Sequence, residues 1–265
     1  MRIPTAEFAS FVYGGECAID DPAELFHEAS RLYPGVAPSR LSVMASLGEP
    51  GVAQTLGRAG RVGCGDVDIR LPNVPLPSAP LADAIGGRVS RLPDQRRTLT
   101  LTSLASVFAC SALTSERAGE RRRPVASAGA LYPLELYVVP LAVESLELQS
   151  YHYDPFRNGL VRVGDVDHAT VEGALVDPPL AARMSALVVV TSVFWRSRVK
   201  YGYRGYRFAL LEAGHVVQAM TTAATALGVA ALPLGGYYDG AVDALIGANG
   251  VDEATIYLLG LGGDA

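Results

Sequence analysis

The chain lacks three features that would tie it to nucleic acid, to a membrane or to an oxidising compartment. Its formal net charge is −5, so there is no excess of basic residues for a polyanion. No uncharged run reaches transmembrane length, and residues 1–7 lack the apolar core of a signal peptide. Only 3 of the 265 residues are cysteines, and their spacing matches no metal-ligand pattern. We therefore expect a cytoplasmic protein with reduced thiols, no metal site, and no nucleic-acid or membrane partner.

The residues that are plentiful predict a globular enzyme in two parts, residues 1–84 and 85–265. Apolar residues make up 49% of the chain, which is enough for a sizeable core. The first part predicts one helix, begun by Asp21 and Pro22 and ended by Pro34. Four prolines within residues 70–80 exclude regular helix or central strand there. We interpret that stretch as an extended arm lying over the core or over a partner subunit.

The second part alternates helical and strand-like segments. Helices are predicted over Thr102–Ala112 and over Arg207–Leu227, the latter a long central helix buried around most of its circumference. On it, Glu212, His215 and Gln218 are expected to be buried polar groups with local partners. Strands are predicted over Leu134–Val139, Tyr151–Asp154, Leu160–Val163, Ala186–Phe194 and Ala254–Leu261. This mixture predicts an α+β fold in which helices pack on one mixed sheet.

A turn of small residues leads directly into the first of these strands. Gly129 lies between two alanines, Ser127 supplies a hydroxyl, and Pro133 closes the turn. Such a turn lets a flat ligand lie against bare backbone. The same composition is also typical of an ordinary loop before a strand.

The run Ser127-Ala-Gly-Ala-Leu-Tyr-Pro-Leu-Glu-Leu-Tyr137 resembles a motif of the SagB/ThcOx-type (McbC-like) azoline dehydrogenases. These enzymes are a branch of the FMN-dependent nitroreductase superfamily. Three further segments agree with them in the same order: Arg88–Arg91, Lys200–His215 and Pro233–Tyr237. The resemblance covers about residues 85–265. It implies a nitroreductase-like fold and a homodimer that holds FMN at its interface.

The resemblance implies that Arg88, Ser90 and Arg91 bind the FMN phosphate. They correspond to an Arg-Arg-Ser-x-Arg motif, in which Val89 here replaces the second arginine and Arg91 comes one place early. A guanidinium can fork onto two phosphate oxygens, and a serine hydroxyl can complete the cradle.

Two loops are implied to contact the isoalloxazine ring. The first comprises Ser127, Ala128 and Gly129 and is implied to face the flavin of the other subunit, with Ala126 where the family has proline. The second brings a backbone N–H group to the flavin N5 atom. Its residues are Leu234, Gly235 and Gly236.

The pair Lys200-Tyr201 matches a pair implicated in catalysis in the azoline dehydrogenases. Oxidation of a thiazoline or oxazoline removes one ring hydrogen as a proton and one as hydride, so the reaction needs a base. A neutral lysine can serve as that base, and Tyr201 can relay the proton or hold the ring. Without the family string, the pair is also compatible with an exposed turn. Arg204 and Arg207 are left open between contact with flavin or substrate and capping of the central helix.

Together these features predict an FMN-dependent enzyme that oxidises azolines in a ribosomally made peptide. The expected partners are the azoline-containing precursor peptide, a cyclodehydratase complex, and molecular oxygen as electron acceptor. Two alternatives remain open. One is a nitroreductase-like or other small-molecule flavin oxidoreductase, and the other is a flavin-free scaffold subunit of a biosynthetic complex.

Overall fold

The computed structural model describes residues 22–33, 65–117 and 120–263. Strands and helices alternate over most of these ranges. The strands are β1 (Ile69–Arg70), β2 (Ser115–Arg117), β3 (Glu120–Arg122), β4 (Leu134–Pro140), β5 (Gln149–Asp154), β6 (Gly159–Asp165), β7 (Ala186–Ser192), β8 (Ala231–Leu234) and β9 (Ala254–Leu261). The helices are α1 (Pro22–Ala29), α2 (Leu81–Gly86), α3 (Leu101–Ser111), α4 (His168–Gly173), α5 (Trp195–Tyr201), α6 (Arg204–Ala226) and α7 (Asp239–Ile246). Two 3₁₀ turns span Ala128–Ala130 and Pro178–Arg183.

Seven strands form one sheet in the order β1-β6-β5-β4-β7-β9-β8, and β2 pairs with β3 as a separate ribbon. Each neighbouring pair in the large sheet is antiparallel. Among the described residues, parallel pairing is limited to single bridges between Ser90 and Ala231 and between Leu99 and Val143. The α+β class and the sheet packed by helices are therefore confirmed, with the mixed character confined to those bridges.

The sheet is covered on both faces, because its central strands β4 and β7 are buried at every position. In β7, Val188 and Val190 face the core side that α3 and α6 cover. Leu187 and Val189 point the other way, toward α4 and α7. All of these valines and leucines are fully buried, so side chains alternate between two apolar layers.

The strand predictions agree with the structure to within a few residues, and the hairpin between β5 and β6 turns at residues 155–158, with Gly159 already paired to Asp154 as the first residue of β6. The central helix is α6, which begins at Arg204 rather than Arg207. Its predicted burial was wrong for one face. His215 and Gln218 are exposed, as are Leu210 and Leu211, whereas Glu212 is buried. Among the described residues, no layer covers this face of α6.

Within the described ranges, the N-terminal part contributes α1, the edge strand β1 and the first four residues of α2. Helix α1 begins at Pro22 as predicted and ends at Ala29, while Asp21 and Pro34 lie outside the described residues. The proline-rich stretch follows the two-residue β1 and has no regular element up to residue 80. Leu71 is buried against the main core, so this part of the arm lies over the chain's own core.

Cys110 is a free thiol, and burial raises its pKa; Cys17 and Cys64 lie outside the described residues. Over the part of the chain that the structure describes, every helix is too short or too polar to cross a bilayer.

Candidate active site

The turn that precedes β4 is conformationally unusual. Gly129 has a φ of 64°, and two non-glycine residues, Ala130 and Tyr132, have φ values of 53° and 45°. Left-handed backbone at alanine and tyrosine costs free energy, so the surrounding structure must hold it. The N–H group of Tyr132 donates to Oγ of Ser127 at 2.9 Å, which closes the turn.

Two arginines, Arg123 and Arg196, contact Tyr132 in the same turn. The backbone N–H of Arg123 donates to the Tyr132 hydroxyl at 3.2 Å, and its guanidinium lies 4.8 Å from the Tyr132 ring centroid. Arg196, on α5, donates from Nη1 to the Tyr132 carbonyl oxygen at 3.3 Å. The strained turn is therefore fixed by contacts from both sides.

Lys200 and Tyr201 lie directly against this turn. A Cβ placed on Gly129 would stand 2.7 Å from the Tyr201 hydroxyl and 2.9 Å from Nζ of Lys200. The missing Cβ thus makes room for these two side chains and does not leave the open face for a flat ligand that the sequence suggested. The structure brings the predicted catalytic pair and the predicted flavin loop into one site.

A second group of predicted residues lies along β8, the edge strand. Nη1 of Arg88 donates to Oγ of Ser90 at 3.1 Å, and Ser90 bridges Ala231 at the start of β8. The N–H of Arg91 donates to the Ala231 carbonyl oxygen at 3.0 Å. Ser90 and Arg91 are exposed, and Arg88 is half-buried, so a guanidinium and a hydroxyl stand together within reach of a ligand.

The glycine loop lies at the other end of β8. Gly235 and Gly236 are exposed, and Leu234 before them is buried. A Cβ on Gly235 would meet nothing within 4 Å, so no contact among the described residues requires glycine there. The four residues of β8 span about 13 Å at the usual strand rise. Arg88 and Ser90 therefore stand at one end of an extended path and Gly235 at the other.

The two groups belong to strands that are not neighbours in the sheet. β8 lies three strands from β4 in the sheet, which corresponds to about 14 Å. The turn before β4 and the loop after β8 point toward the same edge of the sheet, because β4 begins beside the end of β7 and β8 runs parallel to β7 through β9.

Sequence reasoning missed a buried ionic network beneath the turn. Oε1 of Glu135 forms an ion pair with Nη2 of Arg196 at 2.6 Å, Oε2 of Glu135 lies 2.7 Å from Nε2 of His152, and all three side chains are buried. Burial opposes ionisation of Glu135, but the hydrogen bond with His152 and the charges of Arg196, His152 and Arg123 outweigh it and lower its pKa to about 2. The sequence signal for this network was Glu135 within the apolar strand β4. A buried carboxylate needs polar or charged partners, but the sequence does not identify them.

Glu212 of α6 is a second buried carboxyl next to the turn, where it forms a hydrogen bond with Ser127. Its side chain is 3% exposed, and among the described residues Oε2 finds no hydrogen-bond partner. Burial raises the pKa of Glu212 to about 7, while a hydrogen bond with Ser127 and the charges of Arg123 and Arg196 act in the opposite direction. A carboxyl that is easily protonated therefore lies one hydrogen bond from the Ser127 turn.

Arg204 and Arg207 do not point toward the turn. Arg207 donates to the His27 carbonyl oxygen at 2.6 Å and to Oγ of Ser30 at 2.7 Å. Arg204 donates to the Ser30 carbonyl oxygen at 3.4 Å. Both guanidinium groups therefore hold the C-terminal end of α1, a use that neither of the two expectations included.

The chain is similar in sequence to known proteins. The sequence model of the Nitroreductase family matches residues 96–263. MJ1384 of Methanocaldococcus jannaschii, named as a candidate nitroreductase, is 35% identical over 176 residues, which are 65% of this chain and 86% of that protein. The microcin B17-processing protein McbC of Escherichia coli is 31% identical over 135 residues, which are 49% of this chain and 50% of McbC. The latter match spans only half of McbC.

Solved structures show the same fold. A crystal structure of a candidate nitroreductase from Ralstonia eutropha aligns with a TM-score of 0.63 at 20% identity, covering 77% of this chain and 92% of that one. A chain of the E. coli microcin synthetase McbBCD complex, with truncated pro-MccB17 bound, aligns with a TM-score of 0.57 at 21% identity, covering 92% of this chain and 97% of that one. At such identities the likeness establishes the architecture alone.

Proposed function

Since the chain belongs to the nitroreductase family, we propose that this oxidoreductase is an FMN-dependent azoline dehydrogenase that acts on a ribosomally made peptide. The observation that carries the proposal is the contact of Lys200 and Tyr201 with Gly129. It unites a base and a hydroxyl with the loop that the family resemblance assigns to the flavin. The similarity to McbC, named as a microcin-processing protein, supports a peptide as the substrate.

The residues along β8 fit FMN. Arg88 and Ser90 offer a cation and a hydroxyl at one end, as a phosphate needs. Gly235 at the other end leaves its backbone accessible, as a planar ring needs. When bound there, FMN supplies a two-electron acceptor that takes the hydride of the azoline ring. Molecular oxygen is the proposed final acceptor.

Lys200 takes the proton that leaves the ring. It is the single lysine of the chain, which otherwise carries 21 arginines, so the total of Lys and Arg is 22. Arginine stays protonated in proteins and cannot act as a base at neutral pH, whereas a lysine amine can. Tyr201 lies beside it and can orient the ring or pass the proton on.

A homodimer would complete the site. Within one chain, β4 and β8 are about 14 Å apart across the sheet. Leu210 and Leu211 on α6 are 44% and 61% exposed, an apolar surface suited to a second copy. In the proposed dimer, Ser127 to Gly129 and Lys200 of one subunit face the FMN held by Arg88, Ser90, Arg91 and residues 234–236 of the other.

One set of measurements separates this proposal from its alternatives. The purified protein is expected to be yellow, and an azoline-containing peptide is expected to lose two hydrogens in air. A colourless protein that binds peptide would instead be a scaffold. A yellow protein that leaves azolines intact but oxidises nicotinamide with a nitroaromatic acceptor would be a nitroreductase, which the similarity to MJ1384 makes the second candidate.

A further inference from the structure

A cavity of about 410 Å³ lies beside Tyr201, between the end of α1 and the turn from α5 to α6. Three aromatic side chains and three guanidinium groups stand along it. They are Trp195, Tyr201, Tyr203, Arg31, Arg198 and Arg204. Trp195 and Tyr203 are more than half exposed, so a ligand can approach from solvent.

The wall formed by α1 is held firmly in place. The carbonyl oxygens at the end of a helix attract cations, and Arg207 and Arg204 donate to those of His27 and Ser30. The ring of Phe26 also packs edge-on against Tyr206 at 5.2 Å between centroids. The position of α1 that forms this wall of the cavity is therefore fixed by its contacts with α6.

The charge of the lining is opposite to that of the whole chain. Among the described residues, no acidic side chain lines the cavity, although the chain carries a net charge of −5. Arg31 already pairs with Glu28 at 2.8 Å. Among the ion pairs of the described residues, none involves Arg198 or Arg204. A guanidinium without an ion-pair partner among the described residues attracts a carboxylate.

Arg198 is positioned to bind such a group. Its guanidinium lies 4.8 Å from the Trp195 ring centroid and 5.9 Å from that of Tyr203. Rings packed against a guanidinium hold it in place while its N–H groups stay available for a planar anion. Arg198 precedes Tyr201 by three residues on α5, so the two share one helix face about 5 Å apart.

We propose that this cavity binds a carboxylate of the substrate peptide, one or two residues from the ring that Lys200 and Tyr201 act upon. The inference rests on the proposed function for its substrate and deepens it: the preferred azolines have a neighbouring Asp, Glu or C-terminal carboxylate. The spacing follows because one extended residue spans about 3.5 Å, so one or two of them cover the distance from Tyr201 to Arg198.

Trp195 is the single tryptophan of the chain and lines the cavity, so its fluorescence reports binding at this place. The probes are synthetic acetyl-Gly-thiazole-Glu-amide, its Gln counterpart, and acetyl-Gly-thiazole-Gly with a free C-terminal carboxylate. The holoenzyme is titrated with each. The Glu peptide or the free-carboxylate peptide is expected to bind about tenfold more tightly than the Gln peptide, and the arm that does so identifies the source of the carboxylate. Equal affinities for all three would overturn the inference.

Variants test whether Arg198 causes the preference. Arg198→Gln should reduce it to less than twofold, and Arg198→Lys should keep most of it because the charge remains. Arg162→Gln is the matched control, since Arg162 is an exposed arginine on β6 that pairs with Asp165. A tenfold preference that persists in Arg198→Gln contradicts the assignment.

The same peptides, with an azoline in place of the thiazole, separate the two proposals. If binding depends on the carboxylate but the azoline is not oxidised, the proposed function alone is wrong. If the azoline is oxidised at the same rate with and without the carboxylate, the cavity assignment alone is wrong.

Discussion

Nζ of Lys200 lies 2.9 Å from the point that a Cβ on Gly129 would occupy. Because glycine has a hydrogen atom where other residues have Cβ, Gly129 leaves the space that the amine of Lys200 occupies. The left-handed backbone at this glycine and the space beside it are two separate requirements, and substitution can tell them apart.

Gly129→Ala is expected to lower activity at least tenfold while costing about 1 kcal/mol of stability. The φ of 64° accounts for the stability loss. The colliding atoms are ends of flexible side chains, so Lys200 and Tyr201 move aside at little cost but leave their working positions. Turnover and urea unfolding measure the two effects.

Gly247→Ala is the control for that variant. Gly247 has a φ of 67° at the end of α7, so the backbone penalty is similar. Activity there should be unchanged. An active Gly129→Ala variant, or an inactive Gly247→Ala variant of normal stability, would contradict the role given to the space beside Gly129.

Glu212 predicts an unusual dependence of stability on pH. Because burial raises its pKa to about 7, the folded state holds a proton that the unfolded chain releases near pH 4.5. Its favourable contribution is complete below pH 4.5 and is lost as the pH rises through 7. Between pH 5 and pH 8, Glu212→Gln should therefore gain about 2–3 kcal/mol relative to the native chain. Urea unfolding at both pH values measures this, and the exposed Glu172→Gln should show no such gain.

Glu135 predicts the opposite trend. Burial opposes its ionisation, but His152 and Arg196 hold its pKa near 2, so its contribution is present above pH 4.5 and disappears as the pH falls through 2. Glu135→Gln leaves Arg196 buried without its charge partner and should cost about 3 kcal/mol at pH 7. The difference from the native chain should shrink in acid. The exposed Glu144→Gln serves for comparison, and a constant difference across this range would refute the ionic interpretation.

Substitution of the exposed Leu211 tests whether FMN binding and activity require the second subunit. A charge on the 61% exposed Leu211 would disrupt an apolar interface without touching the core. Leu211→Asp is expected to give monomers by light scattering and to lose FMN together with activity. Val251→Asp, at an 80% exposed position near the β9 start, should remain dimeric. A monomeric native protein that keeps its flavin would refute the shared site.

Much of the fold could be predicted because local patterns determine it. The apolar run of β7 and the alternation of the β5–β6 hairpin indicate strands on their own, and they form as expected. The exposed face of α6 was missed because an apolar residue such as Leu211 looks the same in a core and at an interface. Sequence order also gave no view of what meets at Gly129 or of the partners of Glu135, because those contacts join residues far apart in the chain.

The most direct test of the account is an anaerobic mixing of the flavin-loaded protein with an azoline-containing peptide, followed by absorbance. The native protein is expected to bleach in one turnover. Lys200→Arg, with equal flavin content and a retained positive charge, is expected to slow bleaching by at least a hundredfold, because arginine cannot accept the proton. Bleaching by Lys200→Arg at the native rate, or none by the native protein, would contradict the account.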